Sequence, residues 1–88
     1  MRAKASLDID ELDEAGRALF EALRHHRLEL AREQDVPPYV IASDRALRDI
    51  ALLKPRSLDE LELAHGIGPS KAEKYGHSFL EVVSTHAA

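Results

Sequence analysis

The chain contains no cysteine, which excludes a disulfide framework, a thiolate-bound zinc and a cysteine nucleophile, and fits a reducing compartment. It has no apolar stretch approaching the roughly 18 to 20 residues that a membrane span needs, and Met1-Arg2-Ala3-Lys4 is not followed by a hydrophobic region of signal-peptide type. Membrane and secretion roles drop out, and a cytoplasmic location is expected. Positive charge is scarce too. The formal net charge of −4 argues against a protein that coats nucleic acid by bulk electrostatics. The acidity is concentrated near the start, where Arg2 and Lys4 stand against Asp8, Asp10, Glu11, Asp13 and Glu14. The rest is nearly neutral and leaves room for a local basic patch. A Gly-x-Ser-x-Gly elbow, a Walker-type loop and a spaced set of carboxylates are all missing. A chain of 88 residues makes one small domain with a single core, too small for a deep catalytic cleft between lobes. The expectation is a non-catalytic monomer that needs no cofactor.

What is present is helical periodicity. Residues 1–13 show no sustained period and read as a linker or frayed acidic arm, which places the domain at 14–86. From Ala15 to Gln34, the residues Ala15, Leu19, Ala22, Leu23, Leu30 and Ala31 recur at spacings of three and four, the stripe of one long helix. Asp35-Val36-Pro37-Pro38 ends it, because a proline disfavours helical geometry in the residue before it and donates no N–H. An extended crossing segment is expected next. Ser43 or Asp44 caps a second helix, with Leu47, Ile50, Ala51 and the Lys54 stem on one face, and Pro55 stops it. Ser57-Leu58-Asp59-Glu60 is a capping-box pattern for a short helix carrying Leu58, Leu61 and Leu63, and Gly66 ends that one. A last helix begins near Pro69 and shows Ala72, Tyr75, Gly76, Phe79 and Val83 at helical spacing. Val40-Ile41 is the only β-like pair, too short for a sheet. The fold class is therefore all-α, a compact bundle of four to five short helices.

Two segments carry possible chemistry. Gly66-Ile67-Gly68 can turn backbone N–H groups outward at the positive end of the following helix, where Lys71 and Lys74, spaced by three, would add to a phosphate contact. The same glycines better suit a tight helix-to-helix turn with Ile67 in the core and the lysines solvated, since Glu73 stands beside the lysines and Pro69 has no N–H. Tyr39 stands in a segment stiffened by two prolines, where an exposed ring stacks on a base at small ordering cost. It equally suits packing on the first helix with only its hydroxyl in water. Val40 and Ile41 are better candidates for burial. Lys54 and Arg56 flank Pro55 with no acid before Asp59, and form a further basic pair expected among the nucleic-acid contacts.

The remaining polar residues point to bland roles. His25 and His26 are adjacent, so they project about 100° apart on a helix and ligate a metal poorly together. His26 falls on the apolar stripe as a core-edge histidine, and His65, His77 and His86 form no i, i+4 pair, so no metal site is expected. Arg24, Arg27 and Arg32 alternate with Glu21, Glu29 and Glu33 as a solubilising face. Leu28 lies about 140° from the centre of the apolar stripe. With Phe20 at the stripe's edge, it would mark a protein-interaction surface.

The segments Leu19-Phe20-Glu21-Ala22-Leu23-Arg24, Val36-Pro37-Pro38-Tyr39-Val40-Ile41 and Ser43-Asp44, together with Gly66-Ile67-Gly68, Lys71, Tyr75-Gly76 and Phe79, resemble an HRDC domain, the helicase-and-ribonuclease-D C-terminal module. The likeness covers about residues 15–85, and Pro37-Pro38-Tyr39-Val40-Ile41 with Tyr75-Gly76 is similar to the bacterial RecQ type. The resemblance implies a helical accessory domain that weakly binds single-stranded or branched DNA and tunes the substrate choice of a nucleoid-associated helicase. The motor, an ATP-dependent 3′–5′ DNA helicase, would lie elsewhere in a longer protein. It also implies that Tyr39 contacts single-stranded DNA. Two other readings stand beside this one: a protein-interaction module docking on the helicase core or a repair partner, and a helix-hairpin-helix-like phosphate contact at Gly66–Gly68.

Overall fold

Three short side chains decide where helices start in the computed structural model, which describes residues 12–87. The Asp13 carboxylate accepts the Gly16 N–H at 2.7 Å and opens α1, Glu14–Gln34. Ser43 accepts the Ala46 N–H at 3.1 Å and opens α3, Asp44–Leu53, as Ser57 accepts that of Glu60 at 3.1 Å and opens α4, Leu58–Leu61. Each satisfies a donor that the first turn leaves orphaned. The Glu60 carboxylate reaches back to the Arg56 N–H at 2.8 Å, one residue beyond the usual capping-box target. Two further helices, α2 (Pro38–Ile41) and α5 (Pro69–Ala87), begin with proline at the first helical position. Among the described residues there is no strand.

Helix α1 ends in a left-handed residue, Asp35, at φ 57°. The Val36 N–H returns to the Ala31 carbonyl and the Asp35 N–H to that of Arg32, the double closure of a Schellman motif. The stretch expected to cross in extended form then makes one helical turn, α2. Pro38 starts that turn because its fixed φ suits it and its missing N–H is one that no first-turn residue needs.

Leu19, Leu23, Ile41, Leu47, Ile50, Leu61 and Phe79 are fully buried, so α1, α2, α3, α4 and α5 all give side chains to one core. The five helices therefore share one hydrophobic core. Burying each of these side chains stabilises the fold by about 1.5–3 kcal/mol before ordering costs. Helices α1 and α5 run antiparallel. The Tyr75 hydroxyl donates to Gln34 at 2.9 Å, while His26 meets Ser78 at 2.8 Å and Phe79 edge-on at 5.3 Å, so α1 recedes as α5 advances.

Helix α5 crosses α4 at Gly76. A Cβ there would meet a Leu58 methyl carbon at 2.5 Å and one of Leu61 at 3.2 Å. Leu12 is buried and Asp13 caps α1, both just ahead of the boundary expected at Glu14. The rest of the acidic arm, residues 1–11, lies outside the described residues. Ala15 is exposed and not on the stripe, and Leu63 lies beyond α4 with its side chain in solvent.

Candidate nucleic-acid interface

Helix α2 is a single turn with one inward position. Ile41 fills the core, and the two residues before it, about 100° and 200° away around the axis, face out. Tyr39 is consequently 71% exposed and Val40 43% exposed, so of the Val40-Ile41 pair only Ile41 is core. The turn is pinned from α1. The Arg27 guanidinium donates to the Ala42 carbonyl at 3.0 Å and to the Asp44 carboxylate at 2.8 Å, with little of the side chain in solvent. Arg27 is thus a brace across the α2–α3 corner and not part of the solubilising face.

Pro38, beside the tyrosine, lines one hollow with Arg24, His25 and Leu28 and another with Ala31, Arg32 and Val36. Arg24, Leu28 and Arg32 are spaced by four, so they form one row along α1 next to α2. Sequence reasoning left both arginines as solvated surface, yet that spacing of four was the signal that could have set them on one row with Leu28. Arg24 touches the exposed Glu21 at 3.5 Å and stands 6.0 Å from the centroid of the Phe20 ring. An exposed pair of that kind holds the guanidinium only weakly. Leu28 is 37% exposed in the row, whereas Phe20 is buried at 6%. The expected pairing of Phe20 with Leu28 as a partner surface therefore fails on the Phe20 side, because its ring is core.

The glycine turn is placed differently. Gly66 has φ +76°, the left-handed region that only glycine enters freely, and Ile67 is buried beneath it. The His65 N–H donates to the Asp49 carboxylate at 2.8 Å, the Ile67 N–H to the Ala64 carbonyl at 3.1 Å, and Pro69 has none. The loop thus already holds an anion, the side chain of Asp49. Gly68 faces open space and its carbonyl takes the first α5 bond, from Ala72 at 2.9 Å. Lys71 is half-buried on the first turn, and the Lys74 ammonium lies 5.5 Å from the centroid of the buried Tyr75 ring, a cation–π contact.

Lys54 and Arg56 belong to a third place, a cleft of about 880 Å³ that they share with Leu80 and Ser84 of α5. Lys54 is half-buried and caps α3 in the left-handed region at φ 47°. None of Tyr39, Gly66, Gly68, Lys71 or Lys74 lines that cleft. The expected binding residues therefore sit at three distinct spots: the α1–α2 corner, the α4–α5 turn, and the cleft between the α3–α4 connection and α5.

His26 lies inside the α1–α5 seam. Burial lowers the pKa of His26 from its ordinary value, against the opposing pull of Glu29, Glu33 and Glu81. The Ser78 hydroxyl donates its proton to the Tyr75 carbonyl at 2.9 Å, so it accepts from the His26 Nε2–H. Among the described residues no group of three or more His, Asp or Glu side chains is arranged to hold a metal, and no helix is long and apolar enough to cross a membrane.

The HRDC domain family matches residues 16–83 of the chain. Over 87 residues the chain is 43% identical to an ATP-dependent DNA helicase RecQ of Bacillus subtilis, a match covering 99% of this chain and 14% of that protein. It is also 40% identical over 76 residues to an ATP-dependent DNA helicase UvrD2 of Mycobacterium tuberculosis, covering 86% of this chain and 10% of that protein. Among solved structures it is similar to HRDC domain 3 of the D. radiodurans RecQ, with a TM-score of 0.76 and 34% identity over 80% of this chain and 92% of that one. The chain spans about a seventh of the length of the RecQ relative.

Proposed function

The chain belongs to the HRDC domain family, and from that membership we propose that it is the accessory nucleic-acid-binding domain of a RecQ-like ATP-dependent 3′–5′ DNA helicase. In this reading it engages single-stranded or branched DNA weakly and tunes which substrate the motor meets. The observation that carries it is Tyr39, an aromatic ring 71% exposed on a turn that Pro37, Pro38 and the Arg27 brace hold in place. A ring fixed outward loses little freedom when a base stacks on it, and such stacking is worth about 1–3 kcal/mol per base. Arg24 and Arg32, on the α1 row beside it, supply phosphate contacts. So few cations give a dissociation constant of roughly 10⁻⁴ to 10⁻⁶ M and a shallow salt dependence.

Fluorescence anisotropy of labelled single-stranded DNA at low and physiological salt tests this. Tyr39→Ala should weaken binding by about fivefold or more, equivalent to about 1 kcal/mol of lost stacking. Equal binding by both proteins would remove Tyr39 from the contact. If Gly66→Ala abolished binding instead, the helix-hairpin-helix-like contact through Gly66, Gly68, Lys71 and Lys74 would take its place.

A second reading rests on Leu28 and Val40, apolar and partly exposed around the same corner. There the corner docks on the helicase core or on another repair protein. Absence of any DNA binding at low salt, with capture of the helicase core dependent on Leu28, would favour that account.

A further inference from the structure

We propose that the cleft between the α3–α4 connection and the C-terminal half of α5 is a second nucleic-acid contact, taking one unpaired nucleotide with its phosphate on Lys54 and Arg56. The inference rests on the reading of this domain as a DNA-binding module, and adds to it a site that does not involve Tyr39. The cleft holds about 880 Å³, within the usual range of sites that enclose a small ligand. Its surfaces differ in chemistry. Leu80 gives the cleft its apolar surface, with the buried Pro55 and Val83 behind it, Lys54 and Arg56 flank Pro55, and His77, Glu81 and Ser84 of α5 supply the polar side.

Among the described residues neither Lys54 nor Arg56 is in an ion pair, so both charges are available to an incoming anion. Lys54 also occupies a left-handed backbone position, φ 47° and ψ 60°, where glycine is the residue that fits without strain. Glu81 decides which anion fits. Its carboxylate opposes a bare phosphate or an acidic peptide, but accepts a hydrogen bond from an exocyclic amino group, as carboxylates do from cytosine. A nucleotide presents three matching parts: a phosphate for the cations, a ring face for Leu80, and a base edge for Glu81, Ser84 and His77.

The test is an ¹H–¹⁵N NMR titration of the 88-residue chain at low salt with hexadeoxycytidylate, hexadeoxythymidylate and hexaglutamate. We expect the cytidylate to shift the amides of Lys54, Arg56, Leu80, Glu81 and Ser84, with an affinity at least threefold above that of thymidylate, which lacks an amino group. Tyr39→Ala should leave those shifts in place. Lys54→Gln with Arg56→Gln should weaken them at least tenfold, the spectrum itself reporting that the fold is kept, and Glu81→Gln should shrink the preference for cytidylate. Cleft shifts that disappear with Tyr39→Ala, or that arise with hexaglutamate and not with DNA, would overturn the proposal, as would a silent cleft. Cleft shifts with silent amides around Tyr39 would uphold this site while removing the Tyr39 contact.

Discussion

The α1–α2 corner and the α4–α5 turn both use residues that restrict or free the backbone, and they use them to opposite ends. At the corner, Pro37 and Pro38 and the Arg27 brace hold a one-residue-deep turn so that Ile41 goes in and Tyr39 stays out. At the turn, Gly66 and Gly76 let chain and helices come close, so that Ile67 and Tyr75 go in, while Leu63, His65, Lys74 and the acids Glu62 and Glu73 stay outside with no Tyr or Phe ring among them. Rigid backbone is therefore not in itself a mark of a binding site. What separates the two regions is the side chain left in solvent once the local core is satisfied.

That contrast breaks first at the brace. Arg27→Met keeps the stem but removes hydrogen bonds to the Ala42 carbonyl and Asp44, and should lower stability by about 1.5–3 kcal/mol, the range for bonds to a charged group. Thermal denaturation reads that loss, and DNA affinity should fall with it if a loosened Tyr39 binds less well. Gly76→Ala attacks the other region. Overpacking against Leu58 should cost about 1–3 kcal/mol, offset by up to about 1 kcal/mol of helix propensity. Chemical denaturation should show a net loss, with DNA affinity unchanged below the transition.

Gly66→Ala should cost about 1–2 kcal/mol, because an alanine at φ +76° meets the left-handed penalty although nothing crowds its Cβ. Retained DNA binding in this variant would sharpen the contrast, assigning the turn to structure and the corner to recognition. The smallest effect is that of pH. Burial makes His26 harder to protonate in the folded chain than in the unfolded one. The unfolded state thus binds more protons below about pH 6.5, and stability present above that value is lost as pH falls toward the folded pKa. Denaturation midpoints should decline on acidification through this window, and less so in His26→Gln.

The caps were legible because they are local. Ser43 and Ser57 each meet an N–H three residues on, a distance that a sequence pattern spans. The end of α1 at Asp35 was legible for the same reason, from the prolines that follow. The turn at α2 was not, because Pro37-Pro38 marks the end of one helix and the start of another with the same residues. The ties that position the candidate sites were hidden by distance along the chain: Arg27 with Ala42, Asp49 with His65, Gln34 with Tyr75 and His26 with Ser78. No periodicity records such pairs. Phe20 was misplaced because an edge of a stripe is also where a large ring folds back over the core.

The antiparallel seam between α1 and α5 has a consequence for how such a unit is carried. Following α1 back from Gln34 and α5 forward from Tyr75 leads to the same pole of the bundle. The start of α1 and the end of α5 therefore lie at one pole, like the two wires of a pendant lamp. A domain whose first and last helices end at one pole is of the kind that tolerates circular permutation.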